Sequence, residues 1–439
     1  MKPRGYVFSF LTFLALSFPS AAQDSPMFRG DAQHSGVYNS PGVPKLSGVK
    51  WKFHTAGRII SSPAIVNGTA YVGSTDTNLY AIDTATGAEK WKFATGSWIV
   101  SSPAVSKGFV YFGSYDSFFY AVDIATGQLK WKFQTAGEKR YAGRHLHHLE
   151  PAAEAMPDPW DFFLSSPVVA NGRVYFGSGD GNVYALDTAT GTQVWRFQTG
   201  DVVHSSPALV DNTLYVGSWD TYLYGLDAAT GKEKVRFRTG DDPQIHNHIG
   251  IQSSPVVVDG LVYFGCRDAN VYAVDAATGK QKWVFANDGS WVNNSPVVHD
   301  GRIYFATSIP GILHALDAKS GAPLYQLPTG TPVFASMSIA GNTLYFGNFG
   351  GSLTAVDLTT QKPVWTFETD GARQNAPALL KEDGSLKFEA IFPSANLFYD
   401  DMVVAVSKIL TMGSILSSPV VVGDTVYFGS TDGNLYALR

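Results

Sequence analysis

A unit of about 40 residues repeats along most of the chain, and this repetition limits the fold more than any single residue does. One copy opens on Ser61-Ser62-Pro63-Ala64-Ile65-Val66 and passes through the apolar run Thr69-Ala70-Tyr71-Val72-Gly73. A polar turn follows at Ser74-Thr75-Asp76-Thr77-Asn78, then Leu79-Tyr80-Ala81-Ile82-Asp83, Thr84-Ala85-Thr86-Gly87 and Trp91-Lys92-Phe93. The opening recurs at Ser101, Ser165, Ser205, Ser253, Asn294 and Ser417, and more weakly at Ala335 and Asn375. The closing aromatic recurs at Trp51, Trp91, Trp131, Trp195, Trp283, Tyr325 and Trp365, with Val235 in its place once.

Four short apolar runs separated by turns describe a four-stranded antiparallel sheet. Such a sheet cannot bury both faces alone. Radial stacking buries them, which predicts an all-β fold, a β-propeller of four-stranded antiparallel blades. Asn67-Gly68, Asp259-Gly260 and Asp300-Gly301 are tight hairpin turns. The last unit stops after its third strand at Leu438-Arg439, while Trp51-Lys52-Phe53 is a fourth strand with no unit before it. The two ends are therefore expected to complete one blade. Eight blades are expected, with 370–413 as an insertion or irregular blade; nine remains the alternative, because Asn375-Ala376-Pro377 mimics a unit start and Met402 to Val406 a third strand.

The expected organisation is a signal peptide at 1–22, a lead-in at 23–50 and one propeller domain at 51–439, with insertions at 137–164, 241–252 and 370–413. Lys2 and Arg4, then an apolar stretch to Phe18, then Pro19-Ser20-Ala21-Ala22, have the layout of a cleaved export signal. The expectation is a monomeric periplasmic or secreted protein with no later membrane span and no cysteine for a lipid anchor. The single cysteine, Cys266, excludes an intramolecular disulfide framework and a Cys-rich zinc site. The net charge of −5 argues against nucleic acid as a partner. Walker, His-Glu-x-x-His and Gly-x-Ser-x-Gly motifs are absent.

The unit ending Leu-Tyr-Ala-x-Asp-x-x-Thr-Gly-x-x-x-Trp resembles the tryptophan-docking repeat of the pyrroloquinoline-quinone (PQQ) type β-propellers, and Pro26 to Gly36 is similar to their lead-in. The resemblance spans nearly all of the chain beyond residue 22 and implies that the tryptophans dock between blades. The family holds quinoprotein alcohol dehydrogenases and also exported, non-enzymatic propellers. This chain resembles the second group more, because it lacks the vicinal cysteine pair of the dehydrogenases. PQQ is the cofactor the resemblance brings into question. The aspartates at 76, 116, 180, 220, 268 and 432 share one turn position and read as turn caps.

Function in a repeat scaffold is sought where the repeat breaks. The insertions at 137–164 and 241–252 are blade-to-blade loops and share one face of the ring. They carry His145, His147, His148, Trp160, His246 and His248; Trp98, His204 and Trp291 lie in shorter loops on the same face. These residues are the candidate surface for a protein or small-molecule partner at the channel mouth. His145/His147 and His246/His248 are also candidate ligands for a divalent metal, since alternate residues of an extended loop project to one side. The favoured function is an exported binding or scaffolding propeller. A PQQ-dependent oxidoreductase and a metal site at the histidine loops are the alternatives.

Overall fold

In the computed structural model, described for residues 24–240, 250–392 and 398–439, the repeats form eight four-stranded antiparallel sheets. We number them blades I to VII at 64–94, 104–134, 168–198, 208–238, 256–286, 297–328 and 338–368, and blade VIII at 420–438 with 49–54. Each blade runs from an inner three-residue strand outward, and the side chains between neighbouring sheets form the core. Blade VIII closes as expected: Trp51 faces Ala437 and Phe53 faces Leu435 in an antiparallel pair. The first and last strands of the ring are thereby hydrogen-bonded inside one sheet.

The Ser-Ser-Pro motif closes the ring in a second way. The backbone N–H of Ser62 donates to Ser102 Oγ at 2.9 Å, Ser102 to Ser166 at 3.0 Å, Ser166 to Ser206 at 2.8 Å and Ser206 to Ser254 at 2.9 Å. Ser254 donates to Ser295 at 3.1 Å, Ser295 to Ser336 at 3.0 Å, Ser336 to Ser418 at 3.1 Å, and Ser418 returns to Ser62 at 2.8 Å. One serine per blade thus ties each inner strand to the next. These serines are a circular scaffold, which is why the same residue recurs in every unit.

The docking tryptophans behave alike. Trp91 Nε1 donates to the carbonyl of Ile124, Trp131 to Thr188, Trp195 to Ala228 and Trp283 to Ala318, each at 2.9–3.0 Å and each in the following blade. The indole fills the wedge between sheets while its one polar group finds an acceptor. Trp365 finds its acceptor at Val43 in the lead-in, because blade VIII is built from the two ends of the chain. The turn aspartates are caps as expected: Asp116 accepts from Tyr120 Oη at 2.7 Å and from the Gly96 N–H of the preceding blade linker at 2.7 Å.

The lead-in crosses the ring on the side opposite the insertions. Its backbone bonds to inner strands at Ile65, Val105, Leu209, Val257 and Ile339, and Val37–Tyr38 adds a parallel strand to blade VII. Arg29 is buried there, and its guanidinium donates to the carbonyls of His34, Ser295, Ser35, Met337 and Pro296. That end of the channel is sealed by the chain itself.

The segment 370–413 is not a ninth blade. It folds as helices α1 (Asp370–Leu379), α2 (Phe388–Ile391) and α3 (Tyr399–Ile409). Asn375-Ala376-Pro377 lies inside α1, and Met402 to Val406 lies in α3 rather than in a strand. The physical reason is the spacing of Met402, Ala405, Val406 and Ile409, which puts all four on one helical face. That face packs into an apolar cluster with Phe334, Phe349 and Leu416 of the propeller. No helix among the described residues is long and apolar enough to cross a membrane.

Candidate functional site

Each blade presents one variable residue to the channel mouth. It is the third residue of the segment joining second and third strands, which reads Gly-Ser-x-Asp in five of the eight blades. The position holds Thr75, Tyr115, Gly179, Trp219, Arg267, Ser308, Phe349 and Thr431. Its backbone N–H is held by the neighbouring blade linker: Tyr115 to the carbonyl of Trp98 at 3.0 Å, Trp219 to Val202 at 3.1 Å, Arg267 to Gly250 at 3.2 Å. A rigid ring therefore carries a non-repeating set of side chains.

The insertion 137–164 lies across this ring as a strap. It contains a short ribbon, Ala142–Gly143 against Met156–Pro157. Phe162 and Leu164 are buried with Ile60, Val100 and Phe334 over the channel. Gly179 makes room for the strap, since a Cβ there would sit 2.4 Å from Glu138 Oε1 and from the Lys139 carbonyl oxygen.

Charge fixes the strap in place. Arg267 and Asp158 are both fully buried and form an ion pair through Nη1 and Oδ2. The remaining donors of Arg267 reach Asn293 Oδ1 (3.2 Å), Gln252 Oε1 (2.8 Å) and the carbonyl of Trp160 (3.2 Å). Its guanidinium is sandwiched between Trp219 and Trp291, at 4.4 and 4.7 Å from the ring centroids. Tyr141 of the strap stacks on Trp219 at 4.2 Å. Burial alone would raise the Asp158 carboxyl, but the Arg267 charge and the bond from His147 hold it well below the usual carboxylate range.

A second charged pair lies beside the first. His204 Nδ1 and Asp161 Oδ1 are 2.9 Å apart, and Glu138 Oε1 lies 3.4 Å from Nε2, an ionic contact rather than an aligned hydrogen bond. Burial would lower the imidazole, yet the two carboxylates outweigh it and push it up to about 10. His204 is therefore a cation at neutral pH.

The candidate residues separate on this geometry. His147, His204, Trp160 and Trp291 come together around the strap: His147 Nε2 lies 3.1 Å from Asp158 Oδ1, and its ring is 5.3 Å from Trp291. Trp98 stands on the far side of the strap, under the Arg140 guanidinium at 5.8 Å. His145 and His148 are exposed. The expectation of an extended His-x-His loop is not met. His145 and His147 have φ of 56° and 55° in a tight turn around Leu146–His148, which forms because Leu146 is drawn into the interior. His246 and His248 lie outside the described residues. Among the described residues no group of three or more His, Cys, Asp or Glu is placed to hold a metal ion. Sequence reasoning passed over Asp158, Asp161, Glu138 and Arg267. For Arg267 the available signal was the turn Gly265-Cys266-Arg267-Asp268, which departs from the Gly-Ser-x-Asp frame of blades I to IV and VIII; the three acids of the strap carry no such mark.

The axis of the ring is almost solid here. Between the serine ring, Phe28 below and Phe163 above, a cavity of about 30 Å³ remains.

The similarity to known proteins covers the whole propeller. The family described as outer membrane protein assembly factor BamB matches in three overlapping stretches, 44–158, 147–286 and 267–439. The structure of BamB from Moraxella catarrhalis superposes with a TM-score of 0.64 at 15% identity, covering 90% of this chain and 100% of that one. The quinohemoprotein alcohol dehydrogenase from Comamonas testosteroni superposes with a TM-score of 0.68 at 15% identity, covering 95% of this chain and 80% of that one. A europium-containing methanol dehydrogenase gives a TM-score of 0.68 at 14% identity, covering 95% and 98%. At these identities the superpositions show the fold alone, and one scaffold serves both groups. No curated protein matches the chain in sequence. Matched along its length from residue 44 to its last blade, the chain belongs to the outer membrane protein assembly factor BamB family.

Proposed function

We propose that this chain is an exported, periplasmic binding propeller that engages a protein partner through the face carrying the strap and the helical insertion. One observation carries the reading. The exposed large apolar residues on the outer strands are spread singly, one per blade, at Leu129, Val194, Val284, Leu324 and Val364, among others. The strap and the helical insertion add Ile309, Phe388, Phe398 and Val404 on one face, all exposed, Val404 at 61%. Ile309, Phe388, Trp160 and Trp291 also line an apolar hollow of about 360 Å³. An apolar hollow on a rigid face suits an anchoring side chain of a partner. Family membership supports a role in outer-membrane protein assembly.

The alternative is a PQQ-dependent oxidoreductase. A site for a ligand of that size needs roughly 300 Å³ or more. The space left on the ring axis is about a tenth of that, being closed by Phe28 of the lead-in, Phe163 of the strap and Phe334 of the linker into blade VII. The carboxylates of the mouth, Asp158 and Asp161, are already engaged by Arg267 and His204. The residues present at the axis do not fit the quinone, and no redox step is derived.

The test is a photo-crosslinking residue placed at Phe388 or, on the opposite face, at Thr230. A discrete crosslinked protein from position 388 only, lost on Ile309→Asp, together with outer-membrane protein levels restored by wild type and not by that variant, is the expected result. Equal crosslinking from both faces, or a stoichiometric quinone band after incubation with PQQ and calcium, overturns the reading.

A further inference from the structure

A second hollow on this face, of about 550 Å³, lies off the axis between the strap, helix α3 and the linkers leading into blades I and II. Its walls are of two kinds. Phe162, Val406 and Trp98 give it an apolar body, and Arg58 and Arg140 place two guanidinium groups at one side. Among the described residues neither arginine has a carboxylate within ion-pair distance; Asp432, also in the lining, accepts from the Gly371 N–H and Tyr436 Oη, and Arg267, at the centre of the same face, is matched by Asp158. The acids nearest the strap's root, Glu138 and Asp161, are turned to His204. Burial lowers the proton affinity of Arg58, and the like charge of Arg140 lowers it further.

Tyr115 adds a second, independent observation. It lines the hollow, and its buried hydroxyl has the Arg140 guanidinium as its neighbour but makes no aligned hydrogen bond. The scaffold that holds these groups is stiff. The N–H of Arg58 donates to Thr75 Oγ1 at 2.8 Å, that of Thr75 to the carbonyl of Arg58 at 2.9 Å, and that of Tyr115 to the carbonyl of Trp98 at 3.0 Å. Trp98 and Tyr115 meet edge to face at 6.2 Å.

We infer that this hollow binds an organic carboxylate with an apolar body, its anion held by Arg58 and Arg140 and its body lying against Trp98, Phe162 and Val406. Guanidinium groups match a carboxylate in geometry and charge, and the Tyr115 hydroxyl supplies a further donor to it. A bare inorganic anion would leave the apolar wall unused, and a neutral apolar molecule would leave two cations unmatched. The site is separate from the apolar hollow at Ile309 and Phe388, so it stands or falls apart from the partner surface.

Calorimetric titration of the full chain tests it with 3-phenylpropanoate, an acetylated tripeptide ending in phenylalanine, and the amide of that tripeptide. A free acid and a chain's terminal carboxylate share the chemistry, and the tighter of the first two probes assigns the source. Saturable binding of a carboxylate probe, at least about tenfold tighter than the amide, is expected. Arg58→Gln and Arg140→Gln should each weaken it about tenfold or more with the melting temperature unchanged, and Trp98→Ala should weaken acid and amide alike. Equal binding of acid and amide, no saturable binding of either acid, or wild-type affinity in both arginine variants overturns the inference. A surviving crosslink at Phe388 alongside such a failure would sink this site and leave the partner surface intact.

Discussion

The indole of Trp195 rests on Gly231 of the next blade, and a Cβ on that glycine would lie 2.7 Å from Trp195 Cδ2. Gly231 also has a φ of +72°, a conformation that L side chains rarely adopt. Two demands thus fall on one residue, and the same pairing recurs between Trp131 and Gly191 and between Trp283 and Gly321. Gly231→Ala is expected to cost about 1–3 kcal/mol. Trp195→Ala is expected to cost about 3–5 kcal/mol, and Val235→Ala less, because the smaller side chain leaves a smaller cavity. Urea unfolding of the three variants measures the order; equal losses at Trp195 and Val235 would contradict inter-blade docking.

Asp158 and Arg267 are both shielded from water, so removing one leaves the other's charge buried and unmatched. Asp158→Asn is expected to destabilise by about 3–5 kcal/mol. The double variant Asp158→Asn/Arg267→Met should lose less than the sum of its singles, because no lone charge remains. Limited proteolysis within 144–155 should accelerate in the single variant, reporting release of the strap.

His204 gives the pH dependence a direction. Its folded-state value of about 10 lies above the ordinary 6.5, so its stabilisation is complete below 6.5 and is lost as pH rises toward 10. In that window the native state holds a proton that the unfolded chain has released. The slope should approach about −1.4 kcal/mol per pH unit. Urea midpoints at pH 6.5 and 9.5 should fall for wild type and fall less for His204→Gln.

His34 acts on the acid side. It is buried beneath the channel, and burial together with the Arg29 charge lowers it to about 3. Its contribution is present above 6.5 and lost as pH falls toward 3, because the unfolded imidazole takes up a proton that the folded one refuses. His34→Phe should flatten the loss between pH 6.5 and 4, read as the change in melting temperature over that range.

Val49–His54 completes blade VIII, and the lead-in bonds to five other blades. Deleting 23–55 should expose the edge at Asn434–Leu438 and unseal the channel. Aggregation, or loss of the cooperative melt, is the expected outcome. A soluble truncated chain melting with the full-length protein would show that the ends do not pair.

Gly68, Trp91, Ser102 and Asp116 were legible from sequence because each answers a local demand made once per blade. A tight turn, an inter-blade wedge, a ring hydrogen bond and a turn cap all recur, and recurrence exposes them. Closure was legible for the same reason, since a missing fourth strand at Arg439 and a spare one at Trp51 can satisfy each other only in one sheet. The helical state of 402–406 was not legible, since a short apolar run fits either period and left a ninth blade open as the alternative; the choice rested on where Ile409 would pack.

The sequence by itself determined the propeller, because forty-residue periodicity, strand alternation and turn chemistry are properties of neighbouring residues. Only the tertiary structure decided that Asp158 meets Arg267, that Asp161 meets His204, and that Arg58 and Arg140 share one hollow with no ion pair to an acid among the described residues. Those pairings join residues more than 40 positions apart, on a strap and on blades that carry no shared motif. Charge matching at such distances depends on where the scaffold delivers each side chain, and that is set by the closed ring rather than by any local pattern.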